Sequence, residues 1–596
     1  MNTEVNKASK PYWLMIIGFL QGLSFWGISK LFVLKIWPAT DPLIIRALFY
    51  LAFALPLATY LTQNIPSLTQ LRRRWILIGF SILFSLLGAY SAWAENFNLE
   101  QTLSAGEIFP HMRAQDMLGT GVLGFVLLAL LIHFDSHRKG WHYPDLFEIT
   151  WRNALLVITG AILTGVFWVI LFAGSMLMES IGIKLISDLI AKPGFNLPVT
   201  GFVFGAAFAL GLARAEMIVT FRRFWLSISA WFLPLLLFFS VMWATSLPFT
   251  GWASLLETHR ASYILMWFLA LSIKFANAAY QDGAVSRPYA EWLSKIVSIA
   301  WLSLLAVAFT AWWAMIIRIN QYGWTEDRVW GVFVLLLASL YVVGYACSVR
   351  YGLNKMSLVG KTNITVAIVM SLGLVLLLTP LLDARRISVA SQMQSIMRGT
   401  IDSNYIDYDY FRWNAGVYGQ KALDELAKGI AHKDKTTIAA RAKEILAKKD
   451  RGYGWNHQER QLSVDDIRKH LRIIPGSKPI DSNLLARFQT DGLTMECVQA
   501  DAGCIVWMKD LNQDNIDEAI IIKEKPYISF EGIIFYQREK DGSYRSSGTI
   551  DFPKGLHNEQ KDQMLKAIEA DDVKAIPHQW SDLEIEGQRI KVSEYR

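Results

Sequence analysis

Long apolar segments follow one another from Pro11 to Leu382, and from Asp383 to Arg596 charged and polar residues take over. That change of solvent at Asp383 constrains the fold more than any other feature. Stretches such as 154–178 and 224–247 exceed the roughly 20 apolar residues a helix needs to cross a bilayer. The chain therefore reads as a polytopic α-helical membrane protein carrying a soluble C-terminal α+β domain. Eleven spans are expected, at 12–29, 43–61, 75–94, 117–134, 153–178, 198–213, 224–247, 261–279, 296–317, 328–348 and 362–382. The expected organisation is a transmembrane bundle over 1–382, a helical stalk over 383–470 and an α+β domain over 471–596.

Charge supports this division. Only 18% of the 596 residues are charged, against about 25% in a soluble protein. Residues 1–382 hold 26 Lys and Arg against 17 Asp and Glu, and the remainder holds 32 against 34. The net +7 thus belongs to the membrane half. Basic excess beside spans serves topology and anionic headgroups, so it implies a lipid bilayer and anionic lipid as partners, and no nucleic acid. Lys7 and Lys10 precede the first apolar run, but no small-x-small cleavage site follows, so Tyr12–Ile28 reads as an uncleaved first helix.

Short-loop Lys and Arg resist translocation and so set orientation. One set of loops holds 16 of them, including Arg72, Arg73, Arg74, Arg152, Arg222 and Arg223, and the opposite set holds 7. The N-terminus is expected inside the cell and the C-terminal domain outside. The weakest span is 198–213; if it fails to cross, the C-terminal domain moves inside.

Candidate ligand groups fall in three places. In the weak span, Gly201 and Gly205 with Ala206, Ala209 and Gly211 suit close helix packing, or a broken helix lining a transport site. In the eighth span, Lys274 and Asn277 are polar groups in an apolar setting, although Lys274 can snorkel to the headgroups. The outer loop 95–116 gathers Glu95, Glu100, Glu107, His111, Arg113 and Asp116, which could supply an acid–base pair or a cation site, or merely be solvated. His133, Asp135, His137 and His142 follow the fourth span and read more simply as interfacial residues than as metal ligands.

The soluble part reads as helices over 404–430 and 435–448, with Ser463-Val464-Asp465-Asp466 opening a short helix through Leu471. Strands follow at 494–499, 503–508, 518–523, 530–537 and 543–550, then a helix at 558–569 and a hairpin at 582–593. Cys497 and Cys504 flank an expected hairpin turn; outside the cell they would pair as a disulfide, inside they would stay as buried thiols. Asp510, Asn512, Asp514, Ile516 and Glu518 place oxygens at alternate positions. That spacing suits a structural Ca²⁺ loop, or an Asx-rich turn without metal.

No nucleophile elbow, Walker loop, HExxH or dinucleotide fingerprint occurs in the chain. Several scattered elements nevertheless form a pattern: Trp37-Pro38-Ala39, Trp151-Arg152-Asn153, Gly182-Ile183, the run from Arg318 through Tyr322-Gly323-Trp324-Thr325 to Arg328, and after the spans Asp407-Tyr408, Arg412, Gly416, Tyr418-Gly419 and Ala422. With these the chain resembles the bacterial membrane-protein family known as domain of unknown function 4153. The resemblance implies a bacterial envelope protein of this layout, at the inner membrane, and carries no catalytic residues. Arg318 and Arg328 could bind lipid phosphate or carboxylates, or brace a helix–helix corner capped by Thr325.

The leading expectation is transport or sensing of an envelope ligand by the bundle, with the external domain binding or regulating. The alternative is a membrane glycosyl- or lipid-transferase, for which the first outer loop offers only Asp41. An envelope scaffold is the second alternative.

Overall fold

The structure is a computed structural model. It describes residues 12–96, 112–134, 140–251, 261–282, 289–350, 357–401, 403, 406–430, 432–448, 468, 471–474, 480–490, 504–512, 514, 516–523, 529–539, 542–550, 558–570, 572–573, 583–585 and 588–590. Two compact units emerge, Met1–Asp450 and Arg451–Arg596. The division falls at Asp450 rather than at a stalk, because the helices after Asp383 pack within the first unit.

The first unit is helical. In chain order it comprises α1 (Trp13–Val33), α2 (Pro42–Leu61), α3 (Gln70–Ala94), α4 (Ala114–His133), α5 (Tyr143–Ser180), the short α6 (Leu185–Ile190), α7 (Pro193–Ala213), α8 (Ala215–Ala230), α9 (Phe232–Thr250), α10 (Ala261–Tyr280), α11 (Glu291–Ala300), α12 (Ser303–Tyr322), α13 (Glu326–Arg350) and α14 (Ser357–Leu377). Beyond them lie α15 (Ala384–Met397), a π-turn at Tyr410–Asn414, α16 (Gly416–Lys428) and α17 (Lys435–Ala447). Among the described residues, eleven helical stretches are long and apolar enough to cross a membrane, α8–α9 and α11–α12 each counting as one. The protein is a multi-pass membrane protein.

The expected weak span is a full 21-residue helix, α7. Its small residues serve packing. A Cβ added to Gly18 of α1 would sit 1.9 Å from the Gly201 carbonyl oxygen, and one on Gly205 would sit 2.4 Å from that of Leu14. The backbones touch, which only glycine permits. Tyr60 of α2 locks the pair by donating to the Leu14 carbonyl at 3.1 Å. Basic side chains finish other helices: Arg152 donates to the Leu61 and Gln63 carbonyls ending α2, and Arg72 to Leu131 and Phe134 at the end of α4. Cations at helix C-termini satisfy carbonyls and the dipole together.

After the spans, the expected helix over 404–430 is interrupted. Gly416 has φ +56°, and a Cβ there would meet the Ala94 carbonyl oxygen at 1.9 Å. Chain direction must change at this contact, so the π-turn and α16 replace one continuous helix.

The second unit holds β1 (Leu471–Ile473), α18 (Ser482–Thr490), β2 (Cys504–Lys509), β3 (Glu518–Lys523), β4 (Ser529–Arg538), β5 (Tyr544–Ile550), α19 (Asn558–Glu569), β6 (Leu583–Ile585) and β7 (Gln588–Ile590). The main sheet runs β1-β2-β3-β4-β5, with β1 parallel to β2 and the other neighbours antiparallel. β2 is apolar on both faces because both are covered. Val506 and Met508 meet Leu484, Leu485 and Phe488 of α18, while Ile505 and Trp507 meet Leu565 and Ile568 of α19. Leu471, expected to close a helix, lies instead in β1, paired with Cys504. The segments expected at 463–466 and 494–499 lie outside the described residues.

Gly201→Val should force α1 and α7 apart, lowering the thermal midpoint by the equivalent of about 1–3 kcal/mol of overpacking. Gly174→Val, where an added Cβ meets nothing within 4 Å, should leave the midpoint of the purified protein unchanged.

Candidate functional site

Ionisable side chains crowd one end of the bundle. Asp41 caps α2, accepting from the Leu43 amide at 2.8 Å and the Ile44 amide at 3.2 Å. One turn further in, Arg46 is fully buried. Its Nη1 donates to Glu95 Oε2 at 2.5 Å and to Ser91 Oγ at 3.2 Å on the last turn of α3. Asp116 lies buried in the first turn of α4.

Asp383 and Arg385 close this end. Asp383 caps α15 through the Arg385 amide at 2.8 Å, and its carboxylate also takes both Nε (3.0 Å) and Nη2 (2.7 Å) of the Arg385 guanidinium. Two parallel charge-assisted bonds fix the guanidinium plane. Burial opposes ionisation of Asp383, but its bonds from Arg385 prevail and hold the carboxyl below the usual carboxylate range. Burial likewise works against the Arg385 charge, and Asp383 outweighs it, so Arg385 is raised. Tyr90 of α3 donates to Asp383 Oδ2 at 2.6 Å and lies 3.1 Å from the Tyr418 hydroxyl of α16. Alongside, Arg113 pairs with Glu326 of α13, whose other oxygen accepts from Tyr410 at 3.0 Å. Burial, reinforced by Glu326, pushes the Tyr410 phenol up.

A small cavity of about 10 Å³, with room for about one water, lies among these groups, lined by Tyr50, Tyr90, Ser91, Asp116, Thr120 and Arg385 with Leu87 and Leu378. The Tyr50 hydroxyl, Asp116 Oδ2 and Arg385 Nη1 are buried without a hydrogen-bond partner, as is Glu95 Oε1 at its side. Leaving each such group unmet costs about 1–3 kcal/mol. The arrangement offers a small ligand a donor, an acceptor and a hydroxyl that can act as either.

Of the residues singled out in the sequence, Glu95, Arg113 and Asp116 come together here. Glu100, Glu107 and His111 lie outside the described residues. Gly201 and Gly205 form the α1–α7 contact. Lys274 points outward from α10, its ammonium 5.4 Å from the centre of the Phe275 ring. Asn277 turns inward, accepting from Tyr345 and from Asn363, each at 2.9 Å. Arg328 donates to the Gly323 carbonyl at 2.7 Å, and Arg318 and Arg328 both lie over the Tyr322 ring. Thr325 caps α13 through the Arg328 amide.

In the second unit, described side chains between Asp510 and Glu518 accept from backbone amides of the same stretch. Asp510, Asn512 and Asp514 accept from the Asp514 and Ile516 amides, and Glu518 accepts from the Leu511 amide at 2.8 Å. Burial pushes the Glu518 carboxyl up, with Asp514 and Asp510 adding to it. Among the described residues, no group of three His, Cys, Asp or Glu side chains is placed to hold a metal. Cys504 is buried at the start of β2, and Cys497 lies outside the described residues.

Sequence reasoning missed Arg46, Tyr50, Asp383 and Arg385. The signal for Arg46 was present, since an arginine inside an apolar span is a functional candidate by default.

The sequence pattern of one family, described as domain of unknown function (DUF4153), matches residues 31–426. The chain belongs to this family. The DUF4153 match takes in the ten spans from α2 onward, the charged pocket, α15 and most of α16, so the pocket is a feature of the family region of the chain. No curated protein and no solved structure gives a significant match.

Because Asp383 titrates below its unfolded value, its contribution is present above an unfolded pKa of about 3.9 and lost as pH falls through the folded value. Asp383→Asn should destabilise the protein by roughly 3–5 kcal/mol at pH 7, as expected for a broken buried pair. In unfolding melts, the gap from wild type should narrow below about pH 4.

Proposed function

We propose that this protein senses or transports a small polar ligand of the bacterial envelope, taken up in the pocket at Tyr50, Asp116 and Arg385. The observation that carries this reading is the set of buried donors and acceptors left open around this small cavity. Binding sites are concave and carry a few convergent polar groups. The loop charges favour an inside N-terminus, and eleven spans then bring the pocket and the C-terminal unit to the envelope side of the cytoplasmic membrane. There the mixed α/β unit would act as a binding or regulatory element, with the disulfide at Cys497 and Cys504 favoured by an oxidising compartment.

Size weighs against the transferase alternative. The cavity has room for about one water, far less than a glycolipid with its acceptor needs. Asp41 is moreover engaged as the cap of α2.

The test is complementation of a chromosomal deletion by single variants. Tyr50→Phe removes only a buried hydroxyl that faces Ser91 and Thr120, so it should leave the protein folded and inserted yet abolish complementation. Lys274→Ala, on the outward face of α10, should complement fully. Full complementation by Tyr50→Phe would sink the pocket reading and leave a scaffold role.

A further inference from the structure

Among the described residues, the charges around this pocket do not balance. Arg46 and Arg385 supply two positive charges, and Glu95, Asp116 and Asp383 supply three negative ones. The adjoining pair Arg113–Glu326 is neutral in sum. Arg46 is spent on Glu95 at 2.5 Å and Arg385 on Asp383 at 2.7 Å. Asp116 is the carboxylate left over: the nearest guanidinium nitrogen, Arg385 Nη1, is 4.0 Å from Oδ2, beyond hydrogen-bond range. Oδ2 is buried without a hydrogen-bond partner, and the residue is only 9% exposed. An ionised carboxylate in that state is strongly disfavoured unless a positive charge joins it.

We propose that Asp116 is a monovalent-cation site, loaded from the pocket by a proton or by Na⁺. This deepens the pocket reading by giving the ligand one positive charge. The groups facing Asp116 are known from each neighbouring element. α2 presents Tyr50, α3 presents Tyr90, Ser91 and Glu95, and α15 presents Arg385, while Arg46 and Asp383 stand behind them as the partners of Glu95 and Arg385. Thr120 lies one turn along α4, Arg113 just before it, and α14 contributes the apolar Leu378. Oxygens of Tyr50, Ser91 and Thr120 are the neutral ligands available to an alkali ion. A proton needs no ligand beyond the carboxylate, turning it into a neutral donor. Either way the cluster gains one positive charge and reaches neutrality.

The experiment uses the full chain in nanodiscs of zwitterionic lipid. Unfolding midpoints are measured from pH 5.5 to 8.5 in NaCl and in choline chloride of equal ionic strength. If the proton is the occupant, wild type gains stability as pH falls, by up to tenfold in the folding equilibrium constant per pH unit, equally in both salts. If Na⁺ is the occupant, NaCl stabilises over choline chloride, most at the alkaline end where protons compete least. Asp116→Asn, which is neutral and nearly isosteric, removes either dependence. Infrared difference spectra of the wild type supply a readout that does not depend on a variant folding. Proton loading gives a protonated-carboxyl band on acidification, and Na⁺ loading gives a shift of the carboxylate bands on exchange of choline for Na⁺. A wild type indifferent to pH and to Na⁺ in both assays overturns the proposal, as does an Asp116→Asn protein that keeps the full dependence. In that event loss of complementation by Tyr50→Phe would still uphold the pocket, with a different ligand.

Discussion

Arg385 is buried to within 3% of completely, at the point where the chain leaves the last span. Its guanidinium can lie there only because Asp383, two residues earlier, both caps α15 and grips Nε and Nη2. This short chelate fixes the start of α15, and other contacts build on it. Tyr90 binds the same carboxylate and brings Tyr418 of α16 against α3. Gly416 can then approach the end of α3 closely enough to touch the Ala94 carbonyl. The helices beyond the spans thus belong to the same body as the bundle, and the pocket wall is complete only with Arg385 in place.

Two kinds of packing hold the bundle. α1 and α7 meet backbone to backbone through Gly18, Gly201 and Gly205, where dispersion and shape replace the hydrophobic effect that lipid cannot supply. Elsewhere, polar side chains stitch neighbours together. Asn277, Tyr345 and Asn363 join α10, α13 and α14, and Trp312 donates to Ser339 between α12 and α13. These groups satisfy one another. The open valences of Tyr50, Asp116, Arg385 and Glu95 gather in one place and therefore invite a functional explanation.

Spans, strands β2 to β5 and α19 were legible in the sequence because long apolar runs, alternation and turn residues are local signals. Glu95, Arg113 and Asp116 were legible as polar chemistry beside spans. Arg46 carried a signal as a charge inside an apolar span, but a hydropathy average hides it, because one charge among twenty residues of α2 barely alters the mean. Asp383 and Arg385 marked a boundary in the sequence, and their partners Tyr90 and Asp116 are more than two hundred residues away. β1 is three residues long and exists only by pairing parallel to β2, a contact no local pattern encodes. α18 did carry a local sign, the Asp481 cap that accepts from the Leu484 amide at 2.8 Å.

A membrane bundle with one charge-laden pocket near its end acts on whatever compartment that end faces. Sidedness is therefore the measurement that bears most directly on the account. Paired reporters, one active only inside the cell and one only outside, are fused in turn after Arg596 of the full chain. Activity of the outside reporter alone is the expected result, and it places the Asp116 pocket toward the envelope. Activity of the inside reporter alone would contradict the account, turning the pocket to the cytoplasm and removing the envelope ligand from consideration.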